Sequence, residues 1–248
     1  MTKYGRVAVI GGTSLLHSKL FDHFKEKVVE TEHGNVIVYE DETREYSTLF
    51  VQRHHADATK GAEVYNPPHV MNQKSYIAAL KSLDVSTILG VCSVGSLTKE
   101  YDTGTLVVPD DFFNQMSTTY FDDARGHLVP AFSEKVRQTI ITALGETGTE
   151  KTVTSGTYVQ TVGPRFETKA EVRFLSSLGD VIGMTAASEA VLALELSMDY
   201  AVICMIDNYA NGLVGGTLTE EEFRANVKLN EKTVETAVQA ILNKFYET

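Results

Sequence analysis

Positive charge is scarce in this chain. Across its 248 residues, 22 lysines and arginines stand against 33 aspartates and glutamates, giving a formal net charge of -11. A surface of that sign does not bind nucleic acid by default, and any anion must be held by a locally built site. Cysteine is scarce as well. Cys92 and Cys204 each sit in an apolar, strand-like run, which reads as two buried reduced thiols. No run approaches the roughly 18 apolar residues that a membrane span needs. The N-terminus shows no signal pattern, because Lys3 and Arg6 flank a strand and no apolar helix follows. The expectation is a cytoplasmic protein without a nucleic-acid or membrane partner. No Pro/Ser-rich linker, internal repeat or low-complexity tract interrupts the sequence, so residues 1–248 read as one domain. The apolar fraction of 43% and the charged fraction of 22% are those of an ordinary globular chain.

Strand-like and helix-like segments alternate. RVAVIGG (6–12), NVIVYE (35–40), STLFVQR (47–53), STILGVCSVGSL (86–97), TLVVPDDFF (105–113), TVTSGTYVQTVG (152–163), DVIGMT (180–185) and DYAVICMIDNYA (199–210) read as strands. MNQKSYIAALKSL (71–83) spaces its apolar residues as a helix does, and SEKVRQTIITALGE (133–146) opens on a plausible cap at Ser133. TKAEVRFLSSLG and SEAVLALELS are further helices. A long final helix starts from a Thr219/Glu222 capping box. The alternation predicts α/β architecture with a mixed or largely parallel sheet. Two long polar connections, 54–70 and 110–132, are where function is expected to sit.

Several polar clusters fall at strand ends. In VIGGTSLL, two glycines and Thr13 allow backbone amides and a hydroxyl to approach an anion. The run does not continue as GxGxxG, and none of the tyrosines has a lysine four residues on, which argues against a dinucleotide oxidoreductase. Arg53 directly follows an apolar strand, well placed to grip a phosphate bidentately. Adjacent His54 and His55 lack metal-ligand spacing, so no metal is expected. GVCSVGSL leaves backbone accessible around Ser93. GMTAASEA puts Met184 and Thr185 before a helix N-terminus, where Thr185 can cap the helix or donate to an anion. MIDNYANG ends an apolar strand in Asp207 and Asn208, natural readers of a heterocycle edge. VGPRFETKAE places Arg165, Phe166 and Glu167 side by side just after a Gly-Pro turn. Taken alone, these clusters imply a small anionic or phosphate-using ligand in an α/β cleft.

IGGTSLL, RHH, VGSL, TYVQTVGPRFETKAEVR, DVIGMT, ASEAVLALEL, YAVICMIDNYANG and LTEEEF, in that order, resemble the trimeric purine nucleoside phosphorylase and methylthioadenosine phosphorylase family. The resemblance covers nearly the whole chain. It implies a mixed β-sheet, partly closed into a barrel and flanked by helices. It also implies a homotrimer, and cleavage of a purine nucleoside by inorganic phosphate to free base and ribose 1-phosphate, with no cofactor. By motif match, Thr13, Arg53, His54 and Thr185 are phosphate ligands, helped by the backbone near Ser93. Tyr158 and Met184 lie near the ribose, Phe166 packs on the base, and Glu167 reads its edge. Arg165 falls to a structural ion pair. Glu220 occupies a place near the 5′ position, though a first-turn helix charge is the plainer reading. The match departs at RHHADA, where His55 stands in place of a usual glycine and Ala58 in place of a histidine.

Two residues bear on the base. An ionised Glu167 only accepts hydrogen bonds, so it suits the N1–H of a 6-oxopurine and opposes the bare N1 of adenine. Asn208 can donate to N7. Relatives that act on methylthioadenosine usually carry an acid at the position matching Asn208. Asp207 can substitute only if the strand end is bulged, because adjacent side chains on a strand face opposite ways. The expectation is a 6-oxopurine nucleoside with a 5′-hydroxy or 5′-methylthio group; the alternatives are a methylthioadenosine phosphorylase acting on a 6-aminopurine and, given RHHADA, a catalytically weak purine-binding homologue.

Overall fold

The computed structural model describes residues 3–43, 48–116, 118–149 and 151–247. β1 (Arg6–Gly11), β4 (Leu49–Gln52), β5 (Val85–Ser96) and β11 (Asp199–Tyr209) form a parallel centre in which β5 lies between β1 and β11. Side chains alternate across it. Ile88, Cys92, Tyr200, Val202 and Ile206 enter one core layer, whereas Leu89, Val91, Ala201, Ile203 and Met205 enter the other. The first layer is covered by α1 (Gln73–Ser82) and α4 (Ala186–Glu195). The second is covered by α2 (Glu134–Glu146) and α5 (Glu220–Tyr246). With both faces covered, these strands read as unbroken apolar runs.

Two limbs branch from β5. On one side β10 (Val181–Gly183), β9 (Thr157–Gln160) and β7 (Asp111–Asn114) follow one another, and on the other β11 pairs β6 (Leu106–Val107), which pairs β8 (Thr152–Val153). The sequence predicts one strand over 105–113 and one over 152–163. Each is broken in two, at Pro109, which has no N–H to give, and at Gly156, whose φ is +136. The two segments run side by side through their breaks, with Val108 N bonding Val153 O and Asp110 N bonding Gly156 O. They join the limbs, and the single-domain sheet is thereby partly closed.

Other boundaries differ by a few residues from the sequence reading, and residue 47 of the predicted 47–53 strand lies outside the described residues. β2 (Lys25–Thr31), hairpinned on β3 (Gly34–Glu40), is a strand that the pattern does not announce. It is a charged sheet edge burying only Val29, which is how edges avoid pairing with other chains. Ser133 stands at the N-cap of α2 without a side-chain bond. Thr219 accepts from Glu222 N, but no reciprocal bond from the Glu222 carboxylate occurs among the described residues. The complete capping box is at α3 (Lys169–Leu175), between Thr168 and Glu171. Among the described residues, no helix is long and apolar enough to cross a membrane.

Candidate active site

Because β1, β4, β5 and β11 run parallel, their C-terminal ends open on one side of the sheet. There a cavity of about 1440 Å³ is lined by Thr13, Arg53, His54, Ser93, Phe166, Glu167, Met184, Thr185, Asn208 and Glu220. Every residue expected at the site lines it except Tyr158. That tyrosine is fully buried, and its hydroxyl accepts from Thr185 N at 3.2 Å and Ala186 N at 3.3 Å. It supports the start of α4 from beneath and does not reach the cavity wall, which corrects its assignment to the ribose.

At one end of the cavity, Gly12 passes so close to Arg53 Nη1 that a Cβ on residue 12 would collide with it. Arg53 is 3% exposed. Its bidentate face is turned to Glu189, with Nε at 2.8 Å from Oε1 and Nη2 at 3.1 Å from Oε2. Nη2 also donates to Ile10 O, and Nη1 to Val91 O at 2.9 Å. The expected bidentate grip on phosphate is therefore not open, and one Nη1 hydrogen remains for a ligand. Burial is the largest single influence and penalises the guanidinium, but the Glu189 charge, joined by Cys92, Tyr76 and Tyr200, outweighs it and holds Arg53 well above its ordinary range. Thr185 stands at the N-cap of α4 yet makes no side-chain cap bond. Its hydroxyl lies 3.6 Å from Cys92 Sγ and is free to donate into the cavity. Burial pushes the Cys92 thiol up, so it stays protonated. The start of α4 adds a favourable dipole for an anion. His54 is buried, with Nδ1 at 3.0 Å from Asn66 O and Nε2 at 3.4 Å from Thr13 Oγ1. Burial pushes its pKa down to about 4, helped by the Arg53 charge. His55 does not have a positive φ, so a side chain in place of glycine carries no backbone strain there.

At the other end, Phe166 meets Phe223 of α5 edge-on, with ring centroids 5.6 Å apart. Glu167 is buried beside them. Its Oε1 accepts from Thr161 at 2.8 Å, its backbone carbonyl accepts from Asn211, and no donor among the described residues reaches Oε2. Asn208 donates one N–H to Tyr209 O at 2.9 Å, leaving a second N–H and its oxygen. The strand end is bulged: Ile206 pairs Val94 and Asn208 pairs Gly95, which leaves Asp207 as the extra residue. Even so, Asp207 turns away from the cavity. Its carboxylate accepts from Ser93 Oγ and from Asn230 Nδ2 of α5. Burial pushes its pKa up to about 6 against those two bonds. Arg165 pairs with both oxygens of Glu171, as expected of a structural ion pair.

The rim combines Tyr65, which stacks on His54 at 4.4 Å, with the ion pair of Glu220 and Arg224 at 2.7 Å. Glu220 is thus both a first-turn helix charge and a wall residue. Sequence reasoning passes over Glu189, Tyr65 and Phe223 as site components, and the reading of Asp207 as an edge reader is corrected by its inward turn to Ser93 and Asn230. Glu189 leaves a signal, because it is an acid among the apolar residues of the α4 interior and Arg53 is a cation after an apolar strand. Two buried opposite charges call for each other.

Comparison with known proteins agrees with this geometry. The phosphorylase superfamily profile matches residues 6–243. A probable 6-oxopurine nucleoside phosphorylase of Archaeoglobus fulgidus is 33% identical over 242 residues, covering 97% of each chain. A probable S-methyl-5′-thioinosine phosphorylase of Methanocaldococcus jannaschii is 33% identical over 243 residues, covering 96% of this chain and 92% of that one. The 6-oxopurine nucleoside phosphorylase of Pyrococcus furiosus is 34% identical over 251 residues, covering 96% and 91%. In fold, the methylthioadenosine phosphorylase of Schistosoma mansoni superposes with a TM-score of 0.84 at 21% identity, over 98% of this chain and 93% of that one.

Proposed function

The chain belongs to the phosphorylase superfamily, and on that premise we propose that it cleaves the N-glycosidic bond of purine nucleosides with inorganic phosphate, preferring 6-oxopurines. The observation that carries this reading is one cavity with two chemically distinct ends. One end offers hydrogen-bond donors and a helix N-terminus to an oxyanion. The other offers an acceptor-only carboxylate and a carboxamide to a heterocycle between aromatic rings.

Phosphate sits against Thr13, Thr185, the remaining Arg53 N–H and the backbone near Ser93. Because Arg53 and Glu189 neutralise each other, phosphate keeps its own charge to stabilise a ribosyl-cation-like transition state. A phosphate oxygen forms the bond to C1′ as the bond from C1′ to N9 breaks. The departing purine takes the electron pair. An Asn208 N–H stabilises that charge at N7, and Glu167 accepts from N1–H. Met184 faces the ribose between the two ends, and Phe166 packs on the base. No cofactor is needed, since phosphate is a co-substrate. The same reading carries a homotrimer and action in the cytoplasm, the latter supported by the two buried free thiols.

Inosine incubated with the protein, with and without inorganic phosphate, tests the reading. Hypoxanthine should appear only with phosphate, and phosphorus NMR should show an equal amount of ribose 1-phosphate. Release of base without phosphate, or no release with it, contradicts the proposal.

A further inference from the structure

We propose that Asp207 is a positioning residue for the bound oxyanion: through Ser93 it decides whether that serine meets the anion with a lone pair or with its hydrogen. This rests on reading the Arg53–Thr185 end of the cavity as the phosphate site. Residues 91–93 of β5 run along that end. Val91 O accepts from Arg53 Nη1, and Cys92 Sγ lies 3.6 Å from the Thr185 hydroxyl. Ser93 is half-buried, lines the cavity, and stands between it and Asp207, which is fully buried in the bulge of β11. An ionised carboxylate can only accept, so the Ser93 hydrogen goes to Asp207 Oδ2, and the Ser93 oxygen has only lone pairs left for the cavity. Beside an anion that is the unfavourable polarity.

Asn230 of α5 fixes which oxygen of Asp207 takes a proton. Its Nδ2 donates to Oδ1 at 2.8 Å, which keeps Oδ1 an acceptor. The proton therefore belongs on Oδ2, facing Ser93. There it donates to the Ser93 oxygen, and the serine hydrogen, released from the carboxylate, turns to the anion. Burial pushes the Asp207 pKa up to about 6, and the bonds from Ser93 and Asn230 oppose that rise. These two side chains are what β5 and α5 turn toward Asp207, and neither is charged. The 104–105 segment meets β11 there through backbone alone, with Gly104 N donating to Ile206 O and Thr105 O accepting from Ile206 N. His54, also at this end, is pushed down to about 4 by burial and stays neutral above pH 5. Ser93 thus changes polarity between pH 5.5 and 8, while Arg53 Nη1 and the Thr185 hydroxyl hold the anion throughout.

Calorimetric binding of sodium sulfate to the full chain between pH 5.5 and 8 tests this without relying on turnover, because sulfate keeps one charge state over that range. Sulfate should bind at every pH, with an affinity that rises about 5- to 10-fold as pH falls and with proton uptake in the middle of the range. In Asp207→Asn the Asn230 amide holds the new carboxamide oxygen, so the NH2 group donates to Ser93. That variant should bind sulfate at pH 8 as tightly as the wild type does at pH 5.5, without a pH step, and its KM for phosphate at pH 7.5 should fall several-fold. In Ser93→Ala the step should disappear. A wild-type affinity that does not change with pH, or a step kept in Asp207→Asn, overturns the proposal. So does a step kept in Ser93→Ala, which would mean that the Asp207 charge acts through space. The wild-type series and Ser93→Ala decide the matter if Asp207→Asn does not fold. Failure of sulfate to bind at any pH is a different result, and removes the anion site along with the proposal.

Discussion

Glu189→Gln isolates the buried charge that pairs with Arg53 at one end of the cavity. Glu189 is fully buried and accepts four hydrogen bonds: from Arg53 Nε at 2.8 Å, Arg53 Nη2 at 3.1 Å, Tyr76 Oη at 2.8 Å and Tyr200 Oη at 2.7 Å. A glutamine keeps the shape but offers one carbonyl oxygen, and it turns an NH2 group toward groups that only donate or are already donating. It also leaves the Arg53 guanidinium buried without a counter-charge. Breaking one partner of such a pair costs about 3–5 kcal/mol. For a chain of this size, that lowers Tm by roughly 6–20 °C, at about 2–4 °C per kcal/mol. Urea and thermal unfolding of the wild type and variant measure the loss. Arg53→Met combined with Glu189→Leu removes both charges and should be less destabilising than either single change, because no unpaired charge remains. A Glu189→Gln protein within about 1 kcal/mol of the wild type would refute the reasoning, since it would mean that the pair contributes nothing.

Thr185→Val deletes the hydroxyl that makes no cap bond, and should raise the KM for phosphate roughly 10- to 150-fold, the equivalent of about 1.5–3 kcal/mol, while the KM for nucleoside changes little. Asp207 has a folded pKa near 6 against an unfolded value of 3.8, so the native state favours its protonated form. That sign makes the wild type lose stability as pH rises through this window. Asp207→Asn should therefore gain relative to the wild type by up to about 3 kcal/mol between pH 4 and pH 7 in denaturant titrations, and a pH-independent difference would contradict the burial argument. A Cβ at Gly95 would lie 3.0 Å from Asn208 Nδ2, so Gly95→Ala should displace that amide and lower kcat/KM for inosine, whereas unchanged kcat/KM would remove Asn208 from the base site. Light scattering should give a trimer mass at micromolar concentration, and a fully active monomer would refute the trimer.

Elements with strong periodicity are legible in the sequence. The apolar runs of β1, β5 and β11 and the helical spacing of α1 and α5 predict themselves, because burial on both faces or on one stripe leaves a direct imprint. β2 is not legible, since an edge strand protected by Lys25, Glu26 and Lys27 looks like a polar loop. The breaks at Pro109 and Gly156 interrupt runs that alternate well enough to read as single strands, and only the pairing of the two segments shows that they pass from one limb to the other. Most site residues can be read because they lie at strand ends. Their directions cannot. Tyr158 follows the period of a strand and ends up beneath α4. Asp207 occupies a bulge and still turns inward to Ser93. Arg53 spends its bidentate face on a glutamate 136 residues away. In each case the deciding partner is distant in sequence.

The ratio of kcat/KM for S-methyl-5′-thioinosine to that for methylthioadenosine, measured with saturating phosphate, tests the proposal that Glu167 and Asn208 read a 6-oxopurine. A site built to accept from N1–H rejects an analogue without it by about 10⁴ or more. The wild type should show a ratio of that order, and Asn208→Asp should lower it. A ratio at or below one, with efficient cleavage of methylthioadenosine, would contradict the proposal.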